Sequence, residues 1–435
     1  MKAYPYWWDT VPGGWVPEGE NPEPGTRNLE PALPRRFDVV VVGGGYTGLS
    51  AARQLARSGA SVAVVDRGRV GSGASSRNAG QVLTGLKLDV ATLVSRYGEA
   101  RARELFEASR QAIVALEQIV ADESIACEWE RTGHLQAAAK PSHLRDYRAE
   151  QALLARVFDH QVSIIDAHDQ STELGARGYY GLLVDQQSCA INPAKYVQGL
   201  AAAATRVGAT LFEHTAVLQM VRTANGWTLS TRRGDLHARD ILIATNGYTD
   251  KAAPALQRRL IPIGSYIICT APLAASLAAR LLPKRRMAFD SRHFLHYFRL
   301  TADNRLLFGG RAEFSEPTLE SAKRARTILQ RAMVATFPDL ASTPVDYTWS
   351  GHVAFTRDQM PRAGLMDDAF YAGGYSGHGI AMATYLGGLV ARRIGGERFE
   401  HPLFDDHFPP IPLYHGRPWF LPVVGLYYRF RDWID

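Results

Sequence analysis

Hydrophobic residues along the chain change their period several times, and those changes mark out the elements. The segment RFDVVVVGGGYTGLSAARQLARSGASVAVVD opens on a continuous β-branched run and passes through a glycine cluster. It then places Leu49, Ala52, Leu55 and Ala56 at helical spacing before a second apolar run. Uninterrupted apolar strands are buried on both faces, so the pattern predicts a βαβ unit in a parallel sheet. Residues 99–123 put Leu105, Ile113, Leu116, Ile119 and Val120 on one helical stripe, and short alternating segments such as GHLQAAA follow. The α/β texture returns in NPAKYVQGLAAAATRVGATLFEHTAVLQM, where a helix is predicted to begin near Pro193. GWTLSTRRGDLHARDILIATNGY then gives a hairpin-like pair and a hydrophobic strand ending in small residues. Between residues 256 and 340, GSYIICT, HFLHYFRL and NRLLFGGRA alternate as longer strands do, with Asp303 and Asn304 supplying a turn. AFYAGGYSGHGIAMATYLGGLVARRIGG closes the core with a strand, a glycine loop and a helix carrying Ile380, Ala383, Thr384, Gly387 and Val390 on one stripe.

Length fits this alternation. At 435 residues, 46% hydrophobic and 21% charged, the chain has room for two domains, since single cores rarely grow past about 250–300 residues. The texture predicts an α/β fold in which a Rossmann-like nucleotide domain (36–90, 185–255 and 341–400) is interleaved with an α+β domain (91–184 and 256–340) carrying a mixed or antiparallel sheet. An extended arm (1–35) precedes them and a tail (401–435) follows. Trp7, Trp8 and Trp15 in the arm call for cover. The tail segment PWFLPVVGLYYRFRDW, broken by Pro422 and Gly425, is expected to dock on the body rather than touch a membrane.

Charge and cysteine content narrow the classes. A net charge of +6, with arginines scattered rather than gathered among aromatics, argues against nucleic acid and suits an anionic cofactor or substrate. Cys127, Cys189 and Cys269 form no CxxC pair, so neither a disulfide framework nor a structural zinc site is expected. With no signal-peptide core and no run of about 18 apolar residues, the expected compartment is the cytoplasm.

The glycine cluster satisfies G-x-G-x-x-G as Gly43, Gly45 and Gly48, after a strand and opening a helix. Gly43 permits the tight turn, Gly45 lets main chain approach a pyrophosphate, and Gly48 lets the helix pack on the sheet. Tyr46, Thr47 and Gly48 begin a helix whose N-terminus offers N–H groups to phosphate. Asp66, 18 residues after Gly48, ends the second strand where it can accept hydrogen bonds from ribose hydroxyls. These features predict a dinucleotide, and FAD and NAD both fit them. Three further stretches are rich in small residues: VGSGASSRNAGQV after the acid, ATNGYT with Thr245 and Gly247, and YAGGYSGHG with Gly374, Gly377 and Gly379 at a helix start.

With these stretches the chain resembles the D-amino-acid-oxidase-type family of FAD-dependent amine oxidoreductases from about Phe37 to Glu400. VVGGGYTGLSAA, GASSRNAGQ, YFRLTADNRLLFGG, DYTWSGHVAFTRDQMPRAG and GGYSGHG are most similar to its gamma-glutamylputrescine oxidoreductase branch. The resemblance implies a glutathione-reductase-type FAD fold with extended FAD. Its adenosine would lie near Gly43, Gly45, Asp66 and Arg67, with Val217 meeting the adenine. Pyrophosphate and ring would run along Ser75, Ser76, Asn78, Ala79, Gly80 and Gln81, and Gly351, Gly377, His378, Gly379 and Ile380 would line the isoalloxazine. It also implies oxidation of an amine C–N bond by hydride transfer to flavin N5, giving an imine that water hydrolyses, with oxygen or another acceptor closing the cycle. Sarcosine-type relatives carry a substrate-binding lysine three residues after the SGHG histidine. Here that position is Ala381, which points toward a gamma-glutamyl or other substituted amine. Where some of those oxidases use a lysine for oxygen activation, Leu306, Leu307 and Phe308 run apolar. WSGHVAFTRD holds no cysteine for covalent attachment, so non-covalent FAD is expected.

Candidate catalytic or pocket residues are His296, Tyr266, His352 and Tyr375. Alternation in HFLHYFRL puts Phe294 and His296 on one face and Tyr297 and Arg299 on the other, and His296 is taken as the substrate-facing group against the reading of a satisfied histidine. An acid at this position in the resembled branch makes His296 an argument against putrescine-like substrates. Arg292 and Arg311 are candidates for a remote carboxylate. No histidine pair has ligand spacing with a carboxylate, so no metal is assigned. Two rival functions remain open: an amino-acid oxidase or dehydrogenase of the same fold, and a non-catalytic flavin protein binding a partner through its Trp-rich arm.

Overall fold

In the computed structural model, which describes residues 2–15, 36–310, 319–405 and 407–425, two eight-stranded sheets organise the chain. The first grows from the predicted βαβ unit. Arg36–Val42 lies parallel between Val62–Val65 and Gly234–Ile243, with Val42 in register with Val65 and Ile243. Thr210–Phe212 and Ala369–Gly373 extend this parallel set on either side. Val39 and Val41 share a core with Leu49, Leu386 and Val390. Val40 and Val42 turn the other way, into a core with Leu229 and Leu236. Burial on both faces is what a continuous β-branched run requires.

Helix Tyr46–Arg57 and helix Gly379–Ile394 cover the first of these faces. A Cβ at Gly387 would lie 2.3 Å from the Thr47 carbonyl oxygen, so glycine there sets how closely the helices approach. Ser50 Oγ donates to the Thr384 carbonyl at 2.7 Å across the contact. Helix Pro193–Arg206 begins where predicted, with Pro193 in its first turn and the Asn192 side chain accepting from Lys195 N.

The second sheet runs in the order Val345–Phe355, Ile261–Thr270, Leu306–Gly310, His296–Leu300, Met287–Asp290, His134–Ala137, Gly181–Asp185, Ser163–Asp166. It is mixed: Met287–Asp290 and His134–Ala137 pair parallel, and the other neighbours pair antiparallel. Strand Val345–Phe355 corrects a boundary. It falls within the 341–400 stretch assigned to the nucleotide domain, yet it pairs with Ile261–Thr270 along its length. Ser350, Gly351, His352 and Val353 are half-buried in succession, unlike the fully buried run of Val62–Val65 in the parallel set.

Three other expectations change. The helical stripe at 99–123 belongs to a longer helix, Val90–Asp122, capped by the Asp89 side chain and kinked at Gly98, whose φ of 74° is outside the helical range. The arm is not extended over its described part: Tyr6–Asp9 forms a helical turn with Trp7 and Trp8 buried, and residues 16–35 lie outside the described residues. In the tail, Tyr414 and Leu421 are buried against the body while Trp419 and Val423 are exposed; residues 426–435 lie outside the described residues. Among the described residues no helix is long and apolar enough to cross a membrane.

Candidate active site

One cavity of about 1030 Å³ is lined by residues of both sheets. At its glycine-rich end the chain turns sharply at Gly43, whose φ of 108° suits glycine. Gly45 follows as the N-cap of helix Tyr46–Arg57, and a Cβ there would come within 2.9 Å of Ser75 Oγ. Asp66 holds this turn from below, accepting from Gly44 N at 2.7 Å and Gly68 N at 2.9 Å. Tyr46 N donates to Ser75 Oγ, linking the helix start to the loop at 72–80. Of the residues predicted to contact a cofactor, Gly43, Gly45, Tyr46, Thr47, Asp66, Arg67, Ser75, Asn78, Ala79, Gln81, Val217, Thr245, Gly351, Gly377, His378, Gly379 and Ile380 line the cavity.

Gly48, Ser76, Gly80, Gly247 and Gly374 do not line it, for packing reasons. A Cβ on Gly48 would sit 2.0 Å from the Gly43 oxygen, on Gly80 2.1 Å from the Ile191 oxygen, and on Gly374 2.3 Å from a Thr356 methyl. A Cβ on Gly247 would meet the His352 side chain at 3.2 Å. Ser76, fully buried, donates to the Gly71 carbonyl at 2.7 Å and accepts from Trp8 Nε1 at 3.0 Å.

That last contact belongs to a clamp that sequence reading did not place. Trp7 Nε1 donates to the Asn78 carbonyl at 2.8 Å, and the Arg77 guanidinium lies 4.8 Å over the Trp8 ring. Trp349 Nε1 donates to the Arg77 carbonyl at 2.9 Å. Three tryptophans thus fix successive residues of the 72–80 loop. The signal was the demand of Trp7 and Trp8 for cover, which did not say what would cover them.

The glycine loop before helix Gly379–Ile394 has positive φ at Gly374, Ser376 and Gly377. Tyr375 within it is buried, and its hydroxyl lies 2.6 Å from Thr47 Oγ1. His378, the N-cap residue, donates its main-chain N–H to the Tyr375 carbonyl, while its buried Nδ1 has no hydrogen-bond partner among the described residues. Burial, with the charges of Lys87 and His134 added, pushes the His378 imidazole down to about 3, so it is neutral near pH 7. His352 lines the opposite wall with its ring 5.0 Å from that of Tyr248.

Two predicted catalytic residues lie elsewhere. His296 faces the second core, its ring 5.2 Å from Phe308 and Nδ1 3.3 Å from Asp290 Oδ2. Tyr266 is fully buried in that same core and donates to Ser321 Oγ at 3.0 Å. The strand alternates as expected, and the face that lines the cavity is the one opposite His296. Tyr297 is the residue that lines the cavity, its hydroxyl 3.0 Å from Ser265 Oγ, and a Cβ on its partner Gly309 would lie 2.3 Å from the tyrosine ring. Arg299, on the Tyr297 face, is buried and donates to the Gly80 and Ile191 carbonyls. Arg292 is engaged by Asp290, and Arg311 lies outside the described residues. Ala381 is buried and does not line the main cavity.

Away from the glycines, the cavity wall is polar in a way that periodicity did not reveal. His160 Nε2 donates to Asp185 Oδ2 at 2.7 Å and Thr84 Oγ1 to the same oxygen at 2.5 Å. His134 Nδ1 lies 2.8 Å from Ser188 Oγ. Burial alone would raise the Asp185 carboxyl, but the His160 hydrogen bond, the imidazole charges and Thr84 outweigh it and hold the group below the usual carboxylate range. Lys87 and Glu150 line this part too. These residues come from five segments far apart in sequence, so no local motif announces them.

Comparison with known proteins agrees with this architecture. The family described as FAD dependent oxidoreductase matches residues 38–393. Gamma-glutamylputrescine oxidoreductase of Escherichia coli (strain K12) is 32% identical, covering 91% of this chain and 92% of the relative. A probable oxidoreductase OrdL of Rhizobium meliloti (strain 1021) is 34% identical over 93% and 95% of the two chains. The crystal structure of glycine oxidase from Geobacillus kaustophilus superposes with a TM-score of 0.70 at 21% identity, covering 85% of this chain and 97% of that one. The chain is an enzyme of the FAD-dependent oxidoreductase family, to which its sequence assigns it.

Proposed function

We propose that this chain oxidises the C–N bond of a substituted amine, a gamma-glutamyl amine among the candidates, using non-covalently bound FAD. The observation that carries the reading is the division of one cavity into a glycine-built end and a polar, side-chain-built end. The first fits FAD. Gly45 leaves main chain open beside Ser75, Asp66 braces the turn, and the N-terminus of helix Tyr46–Arg57 opens toward the cavity, as an anionic pyrophosphate needs. Among the described residues, none of the three cysteines lines the cavity, which supports non-covalent attachment. Bound FAD supplies a hydride acceptor at N5, and the amine leaves as an imine that water hydrolyses to a carbonyl compound and a released amine or ammonia.

The protein's own residues orient and exclude. Tyr375, tied to Thr47, fixes the loop that brings Gly377 and Gly379 to the cavity, and the start of helix Gly379–Ile394 presents main-chain N–H groups and a positive dipole end there. His378, held neutral, adds no competing charge. Tyr297 and His352 form walls. His296 does not reach the cavity, so it no longer argues against putrescine-like amines. Similarity to the E. coli gamma-glutamylputrescine oxidoreductase supports a gamma-glutamyl substrate, while Ala381, which does not line the cavity, no longer argues for or against a carboxylate beside the amine.

Lys87 favours a second reading, oxidation of an amino acid, because it lines the cavity and its charge acts on His378. Anaerobic mixing of the purified yellow protein with amines, gamma-glutamyl amines and amino acids separates the readings. Bleaching of the flavin bands by an amine is expected. Bleaching by amino acids alone supports the second reading, and bleaching by none leaves a flavin-binding protein without this activity. We place the enzyme in the cytoplasm and leave its acceptor to oxygen-uptake measurement on the same samples.

A further inference from the structure

Helix Pro141–Phe158 turns one stripe inward, and that stripe contains an acid. Tyr147 and Leu154, both buried, line the cavity, and Glu150 stands between them at i+3 and i−4 and lines it too. On an inward stripe this position is normally apolar, because a carboxylate there loses hydration unless something replaces it. Among the described residues Glu150 has neither a hydrogen-bond partner nor an ion-pair partner. The cost is visible in its protonation: burial, then the charge on Asp89, pushes the Glu150 carboxyl up to about 7. Asp89 stands at the start of helix Val90–Asp122 and is occupied in capping it. Helix Pro141–Phe158 packs on strands Gly181–Asp185 and Ser163–Asp166, at the opposite edge of the second sheet from Val345–Phe355, the strand that carries Gly351 and His352. Nothing in the amine oxidation proposed above uses it.

Resting on that reading, we propose that Glu150 receives a second positive charge on the substrate, at the end remote from the carbon that is oxidised. The substrate class is then an amine with a distal ammonium, either a diamine or the zwitterionic head of a gamma-glutamyl amine. An ammonium arriving beside Glu150 supplies the missing partner and favours the ionised carboxylate.

The test is rapid anaerobic mixing of holoenzyme with three probes: 1,4-diaminobutane, its gamma-glutamyl derivative and the monoamine 1-aminobutane. A charge-assisted hydrogen bond contributes roughly 1.5–3 kcal/mol, about 10- to 100-fold in affinity. In Glu150→Gln the dissociation constant of whichever dication or zwitterion reduces the wild type is expected to rise by about that factor. The limiting rate of flavin reduction and the weak binding of the monoamine should stay within about twofold, and Glu150→Asp should restore part of the affinity. The larger loss, diamine or gamma-glutamyl derivative, identifies the source of the ammonium. Equal changes for all three probes, or none, overturn the proposal while amine oxidation stands. A wild type reduced by no amine overturns both. Thermal unfolding at pH 8 gives a second readout: Glu150→Gln should melt no lower than the wild type, and a clear drop would assign Glu150 a packing role instead.

Discussion

The two ends of the cavity are made of different material. At the glycine-rich end the groups facing inward are largely main chain, and their positions follow from what glycine allows: the turn at Gly43, the open N-cap at Gly45, the close seat of Gly48. At the other end they are side chains of Thr84, His134, Glu150, His160, Asp185 and Tyr297, brought together by helix Pro141–Phe158, three strands of the second sheet and the connections that carry Thr84 and His160. The first end is one local motif with packing support, and tolerates almost no added atom. The second is an assembly of side chains that, Glu150 apart, are held by polar contacts of their own, so single changes there should cost less and alter chemistry more.

The sharpest way to break that comparison is Gly48→Ala. Its methyl would stand 2.0 Å from the Gly43 oxygen, which is main chain and cannot swing aside. Separation of helix Tyr46–Arg57 from the turn is expected to cost about 3 kcal/mol or more. Purified protein should contain little flavin by its absorbance ratio and unfold at clearly lower urea. A variant that keeps full flavin content would show that this end is as forgiving as the other.

Asp185→Asn probes the assembled end and should have a smaller effect. Asp185 is buried and accepts from His160, Thr84 and Gln187 N, so loss of its charge should cost about 2 kcal/mol. The pH dependence has a definite sign. Because the folded state holds this carboxyl below its usual value, its contribution is full above about pH 4, the ordinary carboxylate range, and is lost as pH falls through the lower folded value. Urea denaturation from about pH 3 to pH 7 should therefore show a flatter acid limb in Asp185→Asn than in the wild type, with flavin content unchanged. A parallel pair of curves would mean that Asp185 titrates as it does in the unfolded chain.

The same contrast explains what was legible in the sequence. A β-branched run, G-x-G-x-x-G and a terminal acid lie within one stretch of chain, and the physics linking them is local, so the nucleotide unit could be read from residues 36–66. Alternation in HFLHYFRL was equally clear, but alternation gives two faces without saying which one meets the cavity. His296 was chosen and Tyr297 is there, because Phe298 and Phe308 pull the even face into the second core. Glu150 was invisible for a related reason: a single glutamate in an amphipathic helix looks like surface until the packing of its neighbours Tyr147 and Leu154 is known. Strand Val345–Phe355 was misplaced because its neighbours in sequence belong to the other sheet.

Trp8 tests whether the motif end is as self-contained as it looks. The 72–80 loop is not held by its own glycines alone: Trp7, Trp8 and Trp349 each donate an indole N–H into it. Trp8→Phe keeps an aromatic ring beside Trp15 and Arg77 and removes the bond to Ser76 Oγ together with part of the indole's packing. Ser76 retains its bond to the Gly71 carbonyl, so the loss should be about 1 kcal/mol, the smallest of the three. It should appear in one place. If the indole positions the loop, the dissociation constant of FAD, from titration of apoprotein followed by flavin fluorescence, rises about fivefold while urea stability changes little. If FAD affinity is untouched and stability alone falls, the tryptophans only fill the core, and the glycine-rich end stands without help from the arm.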